Sequence, residues 1–103
     1  MSDIISYVLP GHLYVPPEWP DGADPMKLQD QFNEHGNDLS ELPPLEVIAT
    51  AGGRLVIFNG VTRATRSYTI DPNKTVPVIV TSTYSNADIS HLPTIEQLLT
   101  VDF

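Results

Sequence analysis

The 103 residues, 41% hydrophobic and 17% charged, can bury one core, so the chain reads as a single domain over residues 1–103. Thirteen acidic against five basic residues leave a formal net charge of −8, a field that repels polyphosphate chains at long range and argues against nucleic acid as a partner. The lack of cysteine excludes disulfides, thiolate nucleophiles and thiolate-built metal sites; no apolar run approaches the roughly 18 residues of a membrane span, and Met1-Ser2-Asp3 does not open a signal peptide, so the expectation is a cytoplasmic protein that does not enter a membrane.

Ile4 to Leu9 is apolar and β-branched enough for a short strand, stopped by Pro10-Gly11, and His12 to Val15 suits a second extended piece. Residues 16–22 hold three prolines in five positions and predict a loop. Asp24-Pro25 predicts a helix start, with Asp24 as N-cap and Pro25 at the first helical position. Met26, Leu28 and Phe32 form its apolar stripe, and Gly36 is the stop, which sets the helix at Pro25 to His35. A connector from Leu39 to Pro44 leads to a hairpin: strand Leu45 to Thr50, turn Ala51-Gly52-Gly53, strand Arg54 to Phe58. Asn59-Gly60 ends the second strand, and Val61 to Tyr68 holds no breaker and suits a short helix. A turn at residues 71–74 precedes the strand Val76 to Thr83, whose apolar run predicts burial on both faces. Thr94 and Gln97 have capping-box spacing ahead of Leu98-Leu99, which predicts a terminal helix.

The charge is unevenly placed. Residues 1–46 carry nine acids and one base, Lys27, whereas residues 47–103 carry four of each. Arg54, Arg63, Arg66 and Lys74 fall in one stretch whose only acid is Asp71, the single cationic segment of the chain. Two readings follow: solvated bases that pair with the acidic half, or an anion site.

The stretches Leu42-Pro43-Pro44-Leu45-Glu46-Val47-Ile48, Gly53 to Arg66 with Asn59-Gly60-Val61-Thr62-Arg63 inside it, and Val76-Pro77-Val78-Ile79-Val80 resemble the ParB/sulfiredoxin-like superfamily. The similarity spans about 40 residues, Leu42 to Val80, and is anchored on Gly60, Arg63 and the Val-Pro strand. It implies an α+β fold, a small mixed sheet with two or three short helices, and a Gly-x-x-Arg turn that binds a nucleotide phosphate. Sulfiredoxin places a catalytic Cys and a His where this chain has Val61 and Thr62, so its sulfinic phosphoryl ester chemistry is excluded. The chromosome-partitioning members carry two adjacent arginines after the glycine, of which Arg63 stands in the second place, and a helix-turn-helix domain for which 103 residues leave no room.

Elementary chemistry supports the turn independently. Glycine lets the backbone approach a ligand, and the N–H groups of residues 61–63 then open a helix whose dipole favours negative charge. Arg63 in the first turn can fold back over a phosphate through two parallel N–H bonds, with Arg66 one turn later. Thr62 adds a hydroxyl, and Asn59 stands where the superfamily often has Asp. Asn59, Gly60, Thr62, Arg63 and Arg66 are therefore the candidate ligand-binding residues, against the alternative that Asn-Gly is simply a turn and the arginines serve solubility. Nuclease-like and kinase-like members of the superfamily use carboxylates near this turn; Glu46 is the candidate catalytic base, with a solvent-facing strand carboxylate as its alternative.

Other chemistry finds little. His12, His35 and His91 lack metal-ligand spacing, and there is no nucleophile elbow, Walker loop or dinucleotide fingerprint. No metal or cofactor is identified. Trp19 and Tyr14 either anchor a loop to the core or present an aromatic patch. Two functions remain: a nucleotide- or phosphate-binding domain, or a non-catalytic interaction domain whose acidic half, Asp3 to Glu46, meets a basic protein partner.

Overall fold

The computed structural model describes residues 4–19, 22–39, 42–89 and 91–99. Pro20 and Asp21 of the proline loop, residues 40 and 41 of the connector, and Asp3 of the acidic half lie outside the described residues. The elements run β1 (Ile5–Val8), a 3₁₀ turn (Pro10–His12), α1 (Pro25–His35), β2 (Leu45–Thr50), β3 (Leu55–Asn59), α2 (Val61–Ile70), β4 (Val76–Tyr84) and α3 (Ile95–Leu99). The four strands form one mixed sheet in the order β1-β4-β2-β3: β2 is antiparallel to β3 and parallel to β4, and β1 is antiparallel to β4. The fold is α+β, as the resemblance implied.

Local chemistry sets most of these boundaries. The Asp24 carboxylate accepts from the Met26 amide at 2.9 Å to start α1, and Gly36 closes it at φ 57°. Gly52 and Gly53 carry the hairpin turn at φ 72° and 75°. At α3, the Thr94 amide donates to the Gln97 side chain at 2.8 Å and the Gln97 amide donates to the Thr94 hydroxyl at 3.1 Å, a complete capping box.

The core joins Leu45 and Val47 of β2, Ile57 of β3, Val76 and Val78 of β4, Val61 and Ala64 of α2, Ile95 of α3, and Leu13 and Val15 of the N-terminal segment. Ala64 has no accessible surface, and its small side chain lets α2 lie close to the sheet. These buried aliphatic side chains each contribute about 1.5–3 kcal/mol of transfer free energy.

Several elements depart from expectation. His12 closes the 3₁₀ turn instead of opening a strand. Tyr14 alone forms bridges, beside Val56 and Thr94: its amide donates to the Leu55 carbonyl and its own carbonyl accepts from the Ile57 amide, both at 2.9 Å. β3 begins at Leu55 and reaches Asn59, α2 runs on to Ile70, and β4 to Tyr84. β4 is central in the hydrogen-bonding direction, yet it is not buried on both faces: Val76 and Val78 are buried on one face, whereas Pro77 and Ile79 on the other are only half-buried. Burial also fades along the strand, where Val80 is 45% exposed, so the apolar run reads as deeper than it is. In α1, Leu28 and Phe32 are half-buried but Met26 is exposed, so the stripe is narrower than predicted.

Candidate functional site

The strand β3 ends at Asn59, and the chain turns through Gly60 at φ 122° directly into α2. A Cβ at residue 60 would run into the Leu45 side chain, so the position needs glycine for space as well as for its backbone angle. No side chain caps α2, and its first intrahelical backbone bond is Ala64 N–H to Gly60 C=O, 2.9 Å. The N–H groups of residues 61–63 are therefore the orphan donors of a helix start, at the positive end of the dipole.

Arg63 bends back across this turn. Its Nη1 donates to the carbonyls of Pro43 and Pro44 at 3.3 and 3.2 Å, and its Nη2 lies 3.1 Å from where a Cβ of Gly60 would stand. The guanidinium is thus held by two neutral carbonyls and makes no ion pair among the described residues. Burial lowers its pKa below the ordinary arginine value, while the nearby Glu46 carboxylate pulls it back up. A half-buried cation whose desolvation is only partly offset is a favourable place for an anion.

Beside the turn lies a cavity of about 230 Å³, lined by Asn59, Gly60, Val61, Thr62 and Arg63 together with Trp19, Lys27, Gln31 and Phe58, with Asp24 the one carboxylate. Asn59, Gly60, Thr62 and Arg63 are brought together as the sequence suggested. Arg66 is not among the lining residues. It is 2% exposed, and its Nη1 donates to the carbonyls of Gly36 and Asp38, both at 3.1 Å, at the C-terminal end of α1 where a cation complements the dipole. It lines a smaller cavity of about 170 Å³ that shares Gln31 and Arg63 with the first. Glu46 pairs with Asn59 across β2 and β3 and is half-buried, but it lines neither cavity; its reach to the site is electrostatic, through Arg63.

Two lining residues were not foreseen. Lys27 belongs by sequence to the acidic half, yet α1 carries it to the cavity, where its Nζ lies 5.3 Å from the centroid of the Trp19 ring. One sequence signal could have marked it: a lysine in the first turn of a helix works against the macrodipole, and that turn contains no acidic residue. Trp19 is 43% exposed, so it does not plug into the core as a loop anchor. Tyr14, its partner in that expectation, is the strand-edge residue described above. Among the described residues no group of His, Asp and Glu side chains could hold a metal, and no helix is long and apolar enough to cross a membrane.

No protein-family model matches the chain, and no curated protein matches it. Among solved structures it is similar to the crystal structure of the C-terminally truncated chromosome-partitioning protein ParB from Caulobacter crescentus complexed with CTP-gamma-S, at a TM-score of 0.55 and 19% identity over 96% of this chain. The fold is ParB-like. The chain spans 55% of that ParB chain, about half its length. In this fold the Asn59-Gly60 turn joins β3 to α2, with Arg63 three residues after the glycine.

Proposed function

We propose that this chain is a nucleotide-binding domain that seats the ligand's phosphate at the start of α2. The N–H groups of residues 61–63 and the Thr62 hydroxyl would donate to phosphate oxygens, Arg63 would close over them, and Lys27 would approach from α1. The observation that carries this reading is the Arg63 guanidinium held over Gly60, beside an uncapped helix start and a cavity with room for a ligand. The similarity to a ParB complexed with CTP-gamma-S agrees with it through the fold.

Binding, not turnover, is the proposed role, because the candidate base Glu46 does not line the cavity and the carboxylate that does, Asp24, is engaged by the Met26 amide as the cap of α1. A net charge of −8 suits a small, magnesium-neutralised anion better than a nucleic acid. The test is a thermal-shift screen of nucleoside triphosphates with and without magnesium, on the wild type and on Arg63→Ala. Stabilisation of the wild type and its loss in the variant are expected; a wild type that no nucleotide stabilises refutes the proposal.

A further inference from the structure

The cavity at the start of α2 has a lining of two kinds. Polar backbone with Thr62 and Arg63 is one; the other is aromatic, Trp19 and Phe58, 43% and 65% exposed. A tryptophan left this open normally costs solvation free energy without a compensating partner. Here Pro16 and Pro17 precede it, the Trp19 amide donates to the Pro16 carbonyl at 3.0 Å, and the Gly22 amide donates to the Trp19 carbonyl at 2.9 Å. The backbone of Trp19 is therefore tied through both its amide and its carbonyl, which lowers the ordering cost of using the ring. Its partner is the Lys27 ammonium, 5.3 Å from the ring centroid and solvent-exposed, a contact weak enough to exchange. The cavity is roomier than a phosphate ion alone requires.

We propose that Trp19 is the platform on which the base of a bound nucleotide stacks, and that Lys27 leaves the ring to meet the phosphates when it does. The exchange replaces a solvent-exposed cation–π contact with a charge-assisted bond to phosphate and a base–indole stack. Stacking on a π-face tolerates any base, so Trp19 selects nucleotides over bare polyphosphates without ranking the bases. This rests on the phosphate reading given above, and the two can fail separately.

Trp19 is the only tryptophan in the chain, so its emission reports on this ring alone. The probes are the four common nucleoside triphosphates and inorganic tripolyphosphate, each with magnesium, followed by tryptophan emission and thermal shift together. Each nucleotide is expected to quench the emission along the same concentration curve as it stabilises the protein, and to bind about tenfold tighter than tripolyphosphate. Trp19→Leu should bring that ratio to within about twofold while leaving tripolyphosphate binding in place, and Lys27→Gln should weaken both ligands about fivefold. If both ligands stabilise the wild type with equal affinity and unchanged emission, the stacking role is overturned and the phosphate reading stands. If neither stabilises it, both are overturned.

Discussion

Replacing Arg63 with alanine removes two things at once, and the structure lets each be sized. The first is the anchor to the Pro43 and Pro44 carbonyls at 3.3 and 3.2 Å. Both bonds are long and one is exposed, so their loss costs about 1 kcal/mol, or about 4–8 °C in melting temperature for a domain of this size. The second is the proposed grip on a phosphate, whose loss at about 1.5–3 kcal/mol for each bond to a charged group should weaken binding about 100-fold. At a nucleotide concentration of 100 times its dissociation constant the wild type gains about 2.7 kcal/mol, a rise of about 11–22 °C. At the same concentration the variant, with its constant now equal to the concentration, gains about 0.4 kcal/mol and about 2–3 °C. Differential scanning fluorimetry with and without ligand resolves that contrast, and isothermal titration calorimetry gives the affinities directly. A variant that melts a few degrees lower but keeps the full ligand-induced rise would refute the role given to Arg63, since the fold would then bind without it.

Three further substitutions separate the site from its supports. Gly60→Ala places a Cβ against Leu45 at a backbone φ of 122°; urea unfolding should show a loss of about 2–4 kcal/mol, and a loss below about 1 kcal/mol would mean that the turn is looser than described. Arg66→Met removes a donor from the Gly36 and Asp38 carbonyls and should cost about 2–3 kcal/mol, yet keep the nucleotide-induced rise in melting temperature, because Arg66 does not line the cavity beside Gly60; loss of that rise in a folded variant would return Arg66 to the ligand. Glu46→Gln removes a negative charge near Arg63, so titration calorimetry should give nucleotide affinity unchanged or up to about threefold higher, and a marked fall would assign Glu46 a direct contact.

Where a short stretch of chain satisfies itself, its residues suffice to read the outcome. Asp24 with Pro25, Gly52-Gly53, the Thr94–Gln97 pair and the Asn59-Gly60 turn each complete their hydrogen bonds or their backbone angles within a few residues, so the helix α1, the hairpin, the cap of α3 and the start of α2 were all legible. The resemblance over Leu42 to Val80 reached the fold for the same reason, because it spans the contiguous β2-β3-α2-β4 unit.

What no local pattern contains is the choice of partner across the chain. Arg63 and Arg66 are one helical turn apart and chemically alike, yet one bends over Gly60 while the other is drawn to the carbonyls of Gly36 and Asp38 just past α1, 30 and 28 positions away in sequence. Lys27 and Trp19, in the most acidic part of the sequence, reach the cavity only because α1 packs on α2 and the proline loop folds beside β3. Composition decided the net charge and a local rule decided each turn; tertiary packing alone decided which cations line the cavity, because a guanidinium or ammonium on a long side chain goes wherever the folded chain offers acceptors within reach.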